Sequence, residues 1–156
     1  MKETEITKKT NEIVKDLLGL LEIKASVSVS YTSEPEAVVS VFLNEVGESA
    51  GLLIGSKGQT LLSIQSFIAM SLRRHFDEQV RVSLDIGDWR RKQEDYLMEL
   101  AEQAAQRVKD SKKPQYLYNL NPSQRRIIHV ALSKKEGIVT ESEGEGEGRY
   151  LVVKPV

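Results

Sequence analysis

The feature that most restricts how this chain can fold is a repeated change in hydrophobic period. Residues 25–31 carry the alternation Ser-Val-Ser-Val-Ser, and residues 80–86 read Val-Arg-Val-Ser-Leu-Asp-Ile. Side chains two apart share one face of a strand, so each segment presents an apolar face that another element has to cover. Glu34-Pro35-Glu36 interrupts the first strand, and residues 37–43 supply a second, so the two are expected to form a hairpin. Helical spacing provides the cover. Ile6, Ile13, Val14, Leu17, Leu18 and Leu21 recur at helical intervals in 4–21, and Leu61, Ile64, Ile68 and Leu72 do so in a helix reaching about His75. Residues 45–54 can make a short helix. The order is helix, strand, strand, helix, glycine turn, helix, strand, which places the chain in the α+β class.

From Asp88 the pattern changes. Asp88 is expected to cap a long amphipathic helix over 89–108 whose buried stripe is Tyr96, Leu97, Leu100, Ala101, Ala104 and Val108. Ser111-Lys-Lys-Pro114 ends it, and Tyr116-Leu-Tyr118 reads as a short strand. Asn121-Pro122 opens another helix, with Asn at the N-cap and Pro at the first helical position. Residues 138–140 and 150–153 read as short strands flanking a mobile acidic loop, Glu-Ser-Glu-Gly-Glu-Gly-Glu-Gly. The expected domains are therefore residues 1–87 and 88–156, with the boundary near Gly87–Asp88.

Several function classes fall away on composition. The 156 residues include no cysteine and two histidines, which leaves no recognisable metal site and no cysteine nucleophile. No nucleophile is tied to a base by any motif, so no enzyme is expected, and no cofactor or metal either. The first residues are polar and charged, and no apolar run suits a bilayer, so a cytoplasmic protein without membrane insertion is expected. A net charge of −1 argues at first against a polyanionic partner. The charge is segregated, however. Residues 51–92 are net +3, and residues 103–135 carry eight Lys/Arg against one Asp/Glu. Basic patches act on phosphates within about 8–10 Å, so the local excess matters more than the total.

The first basic segment contains Gly-Leu-Leu-Ile-Gly-Ser-Lys-Gly-Gln-Thr at 51–60. A nucleotide-binding P-loop is excluded by spacing, because Lys57 is followed by Gly58 and Gln59 rather than by a hydroxyl. Two readings remain. Gly55 and Gly58 can permit a tight helix–helix turn, or they can let a sugar-phosphate backbone approach the start of the next helix, with Lys57 adding charge. Arg73 and Arg74 read as complements to the dipole of their own helix. The second basic segment contains Asn-Pro-Ser-Gln-Arg-Arg-Ile-Ile-His at 121–129, which sets Arg125 and His129 on one helical face opposite Ile127, Ile128, Val130, Ala131 and Leu132. An isolated R-x-x-x-H is usually solvated surface; here it stands in a strongly basic segment.

The element order around Ile-Gly-Ser-Lys-Gly, followed by Thr-Leu-Leu-Ser-Ile-Gln, resembles a type II KH domain. That resemblance implies a three-stranded sheet packed by helices. It implies that Gly55, Ser56, Lys57 and Gly58 clamp a nucleic-acid backbone, with the adjoining helix and the strand at 80–86 lining a base groove. Many family loops have two basic residues, and Ser56 departs from that pattern. Asn-Pro-Ser-Gln-Arg-Arg-Ile-Ile-His-Val-Ala-Leu, followed by Ser-Glu-Gly-Glu-Gly and Arg-Tyr-Leu-Val-Val, is similar to the R-3-H domain, a small α/β module that binds single-stranded nucleic acid. Arg125 and His129 are its implied contacts, with Arg126, Lys112 and Lys113 (and Lys134 and Lys135) as candidate peripheral phosphate contacts. The two domains in this order, joined by Asp-Ile-Gly-Asp-Trp-Arg-Arg-Lys at 85–92, resemble the Jag/SpoIIIJ-associated (KhpB-like) family. The N-terminal Jag domain of many members has no counterpart in this sequence, so the expectation is a short form or a truncation. The family implies binding of single-stranded RNA (or single-stranded DNA), a small KH-only protein partner, and post-transcriptional regulation linked to cell envelope and division. The contrasting expectation is a protein-interaction adaptor that uses the KH surface without RNA. On the clamp reading, aspartate at Lys57 or Gly58 is expected to weaken RNA binding without unfolding the chain.

Overall fold

Alternation in the first half becomes a three-stranded sheet in the computed structural model, which describes residues 2–156. Strand β1 (Ser26–Thr32) pairs antiparallel with β2 (Val38–Asn44), as a hairpin requires. Strand β3 (Arg81–Ile86) lies on the other side of β2 and runs parallel to it. Parallel neighbours need a crossover, and here the crossover consists of helix α2 (Ala50–Ile54), the glycine turn and helix α3 (Gln59–Phe76). Helix α1 (Lys2–Leu20) packs with α3 beside this sheet. Val39, Val41 and Leu43 of β2 and Val82, Leu84 and Ile86 of β3 meet Ile6, Val14, Leu18, Leu61, Ile68 and Leu72 in one core. Thr10 is fully buried in α1, and its hydroxyl donates to the Ile6 carbonyl at 2.7 Å, so the helix itself satisfies the polar group.

The chain divides into two compact units, the first ending at Arg90 and the second running from Arg91 to Val156. Helix α4 (Trp89–Ser111) sends Leu97, Ala101, Ala104, Ala105 and Val108 into the second core. Tyr96 was expected in that stripe but is exposed: the buried positions step by three and four from Leu97, and Ala105 completes the face instead. The second sheet is antiparallel throughout, with β4 (Gln115–Leu117) and β5 (Ile138–Glu143) flanking β6 (Tyr150–Pro155). Strand β5 extends through Glu141-Ser-Glu143, which reads in sequence as acidic loop; the two glutamates face partners across the strand pair, leaving a connection only at 144–149. Helix α5 (Pro122–Leu132) begins with the expected Asn121 cap. The Asn121 side chain accepts from the Gln124 amide, and the Gln124 side chain accepts from the Asn121 amide, both at 2.9 Å. Ile128 and Leu132 are buried in the core, while Val130 is exposed, contrary to the apolar arc expected of it.

Candidate nucleic-acid interface

The glycine turn of the first unit departs sharply from helical backbone. Gly55 has φ 70° and ψ −175°, Lys57 has φ 53°, and Gly58 has φ 76° as the N-cap of α3. Left-handed φ at both glycines explains their residue type in part. Space explains the rest: an added Cβ at Gly55 would overlap the Thr60 side chain, and one at Gly58 would overlap the Trp89 ring. What approaches these glycines is therefore the protein itself, so an aspartate at Gly58 is not the fold-neutral test that sequence suggests. Ser56 and Lys57 between them are exposed. Among the described residues no side chain caps α3, so its first-turn amides stand beside Lys57 with no side-chain acceptor of their own.

The expected base groove has a closed centre. A cavity of about 510 Å³ is lined by Gln65, Ser66 and Ala69 of α3 together with Gln79, Val80, Arg81 and Val82, and it ends on an Arg81–Glu36 ion pair of 2.7 Å. Further along β3, the Leu84 amide donates to Gln65 Oε1 at 2.9 Å and the Leu84 carbonyl accepts from Arg90 Nε at 2.9 Å. Arg90 Nη2 also donates to Gln65 Oε1 at 2.8 Å. Asp85 Oδ1 accepts from the Arg90 amide at 3.2 Å, so Asp85 takes up an amide in the first turn of α4.

In the second unit, α5 and the inner face of the sheet border an open cavity of about 480 Å³ lined by Pro122, Arg125, Arg126, His129, Thr140, Ser142, Arg149 and Leu151. Three guanidinium groups and an imidazole line it, and among the described residues no carboxylate does. Arg125, His129 and Arg149 are each placed by hydrogen bonds. Arg125 Nη1 donates to the Leu120 carbonyl at 2.6 Å and to the Arg149 carbonyl at 3.3 Å, which leaves the donors on Nε and Nη2 for a ligand. His129 Nδ1 pairs with Thr140 Oγ1 at 2.5 Å, and Arg149 Nε donates to Ser142 Oγ at 2.8 Å. Thr140 and Ser142 are two apart on β5 and therefore share the face that looks at α5.

Arg125, Arg126 and His129 thus come together, while Lys112 and Lys113 sit in the exposed turn before β4 and do not line the cavity. Sequence reasoning missed Thr140, Ser142 and Arg149 as site residues. The available signal was Arg149 itself, a basic residue that closes the acidic stretch from Glu136 to Gly148. On the opposite face of the sheet, Lys154 bonds to Glu141 at 2.5 Å and holds that carboxyl below the usual carboxylate range, while Glu141 holds Lys154 above the usual lysine value. The Tyr150 hydroxyl donates to Glu143 at 3.1 Å, which favours the neutral phenol and raises its pKa.

The R-3-H domain family matches residues 95–155 of this chain. The RNA-binding protein KhpB of Clostridium symbiosum is 34% identical over 152 residues, covering 97% of this chain and 67% of the relative. The RNA-binding protein KhpB of Bacillus subtilis is 37% identical over 120 residues, covering 76% of this chain and 58% of the relative. That of Streptococcus pneumoniae is 25% identical over 140 residues, covering 90% of this chain and 41% of the relative. The chain therefore spans between two fifths and two thirds of these relatives.

Proposed function

The chain belongs to the KhpB family, and from that membership we propose that it is a non-enzymatic binder of single-stranded RNA with two grips. The observation that carries this reading is the carboxylate-free cavity walled by Arg125, Arg126, His129 and Arg149. Such a wall attracts phosphate and offers flat guanidinium and imidazole faces to unpaired bases. The turn of Gly55, Ser56, Lys57 and Gly58 is the second grip, in which first-turn amides and Lys57 meet the sugar-phosphate backbone as in a type II KH domain (residues 1–87 on this reading, with the R-3-H domain over 88–156). Two modules on one chain raise each other's effective concentration, so the intact protein binds a long strand more tightly than either module alone. The role we infer is bacterial post-transcriptional regulation linked to cell envelope and division.

The measurement that tests this is fluorescence anisotropy of a labelled single-stranded RNA across a salt series. Arg125→Ala should weaken binding and flatten the dependence on salt. Equal affinity and equal salt slope for wild type and variant would remove the cavity from the interface.

One observation favours a second role beside the first. Leu62, Phe67 and Met70 are 47%, 46% and 65% exposed on the outward side of α3, interspersed with exposed Ser63 and Ser66. That side is a suitable docking face for the small KH-only partner, and size-exclusion of the two proteins together, with and without RNA, separates adaptor from binder.

A further inference from the structure

The outer face of the second sheet carries aromatic groups that the cavity does not use. Alternation along the strands turns Leu117, Leu151 and Val153 into the core and Tyr116, Tyr150 and Val152 the other way. The rings of Tyr116 and Tyr118 lie 6.4 Å apart and within 17° of parallel, and Tyr150 stands 6.0 Å from the first and 5.1 Å from the second. Tyr116 and Tyr118 are nevertheless 50% and 60% exposed. Single exposed aromatics are ordinary, but three in mutual contact make an apolar surface that water covers at a cost.

This cluster is joined to the cavity by Arg125. The two carbonyls that Arg125 Nη1 holds belong to Leu120, two residues after Tyr118, and to Arg149, the residue before Tyr150. One guanidinium thus ties together the backbone segments on which two of the three tyrosines stand. At Arg149–Tyr150 the chain sends a guanidinium to one face of the sheet and a phenol to the other within a single strand step of about 3.3 Å. On the tyrosine side Glu141 is charge-compensated by Lys154, while Glu143 accepts from the Tyr150 hydroxyl and keeps its charge beside the ring edge.

We propose that Tyr116, Tyr118 and Tyr150 are a stacking platform for unpaired bases of the same RNA strand whose phosphates occupy the Arg125–His129 cavity. This rests on the reading of that cavity given above. The phenol rings offer π-faces and no donor–acceptor pattern fixed on a base edge, so the platform accepts any base and favours the unpaired strand over the duplex. The path wraps the end of the sheet where β6 begins.

The test compares labelled oligoadenylates of about 4 and about 10 nucleotides, both within the range of site sizes of single-strand binders, on the intact chain. The doubly substituted Tyr116→Ala/Tyr118→Ala chain should bind the longer oligomer about tenfold more weakly with an unchanged salt slope, and the short oligomer nearly as well as wild type. Tyr118→Phe should retain wild-type affinity, because the ring and not the hydroxyl does the stacking. A 2-aminopurine within the longer strand should be quenched by wild type and much less by the double variant. Undiminished affinity of the double variant for the longer strand, with affinity still lost on Arg125→Ala, would overturn the platform alone and assign that face to a protein partner. Absence of binding by the wild-type chain would overturn the cavity reading and the platform together.

Discussion

The turn at Gly55–Gly58 is shaped by its own backbone, whereas the cavity at Arg125–His129 is shaped by side chains sent in from a helix and two strands. In the turn, positive φ and the crowding of Thr60 and Trp89 dictate the glycines, and the chemistry it would offer a ligand is amides plus one lysine. In the cavity, most side chains come from regular helix and strand, and Arg125, His129 and Arg149 are steered by hydrogen bonds. A backbone grip fails when the fold around it is disturbed. A side-chain grip fails when one charge is removed. The two regions should therefore answer mutation in different quantities, stability for the first and affinity for the second.

Gly58→Ala should show the largest effect. A methyl group at φ 76° against the Trp89 ring combines backbone strain with overpacking and should destabilise the first unit by about 3 kcal/mol in urea denaturation followed by circular dichroism. In a Trp89→Ala background the same substitution should cost less, and an equal cost in both backgrounds would break the claim that the ring dictates this glycine. Arg125→Ala comes next, on binding instead. It should lower RNA affinity about thirtyfold with a smaller loss of stability from the two freed carbonyls. Lys57→Ala should do less, about threefold, lowering the salt slope by about one while leaving the unfolding midpoint unchanged, since Lys57 is exposed. A Lys57→Ala chain that loses more affinity than Arg125→Ala would reverse the ranking of the two grips.

The smallest effects lie in pH. Tyr150 has a raised folded pKa, so its bond to Glu143 contributes below the ordinary tyrosine value and is lost as pH rises through the higher folded one. Glu141 has a lowered folded pKa, so its pairing with Lys154 contributes above the ordinary carboxylate value and is lost as pH falls through the lower one. Tyrosinate absorbance should show one tyrosine ionising late, and Glu143→Gln should bring it back toward the ordinary range. The Glu141–Lys154 pair is exposed and the Tyr150–Glu143 bond only half-buried, so melting temperatures should move little across either window.

Much of the candidate site was legible before any coordinate. Arg125 and His129 are one turn apart on a helix whose Asn121-Pro122 start is written locally, and both reach the same cavity. Thr140, Ser142 and Arg149 were not legible, because their roles come from strand register across a connection that reads only as acidic. Strand β5 continues to Glu143 for the same reason: Lys154 and Tyr150 engage glutamates that sequence alone assigns to loop. Exposed Tyr96 and Val130 show the converse, since an apolar residue at the margin of a helical face is buried only if a neighbour arrives to cover it.

Local physics, then, settled the element order, the α+β class, the starts of α4 and α5 and the spacing of the basic groups, because period, capping and proline geometry act over a few residues. Tertiary structure decided the rest, because it depends on contacts between residues far apart in the chain. Only folding brings Trp89 onto Gly58, closes the Leu84 edge with Gln65 and Arg90, and draws Arg149 to the face that Arg125 and His129 already share.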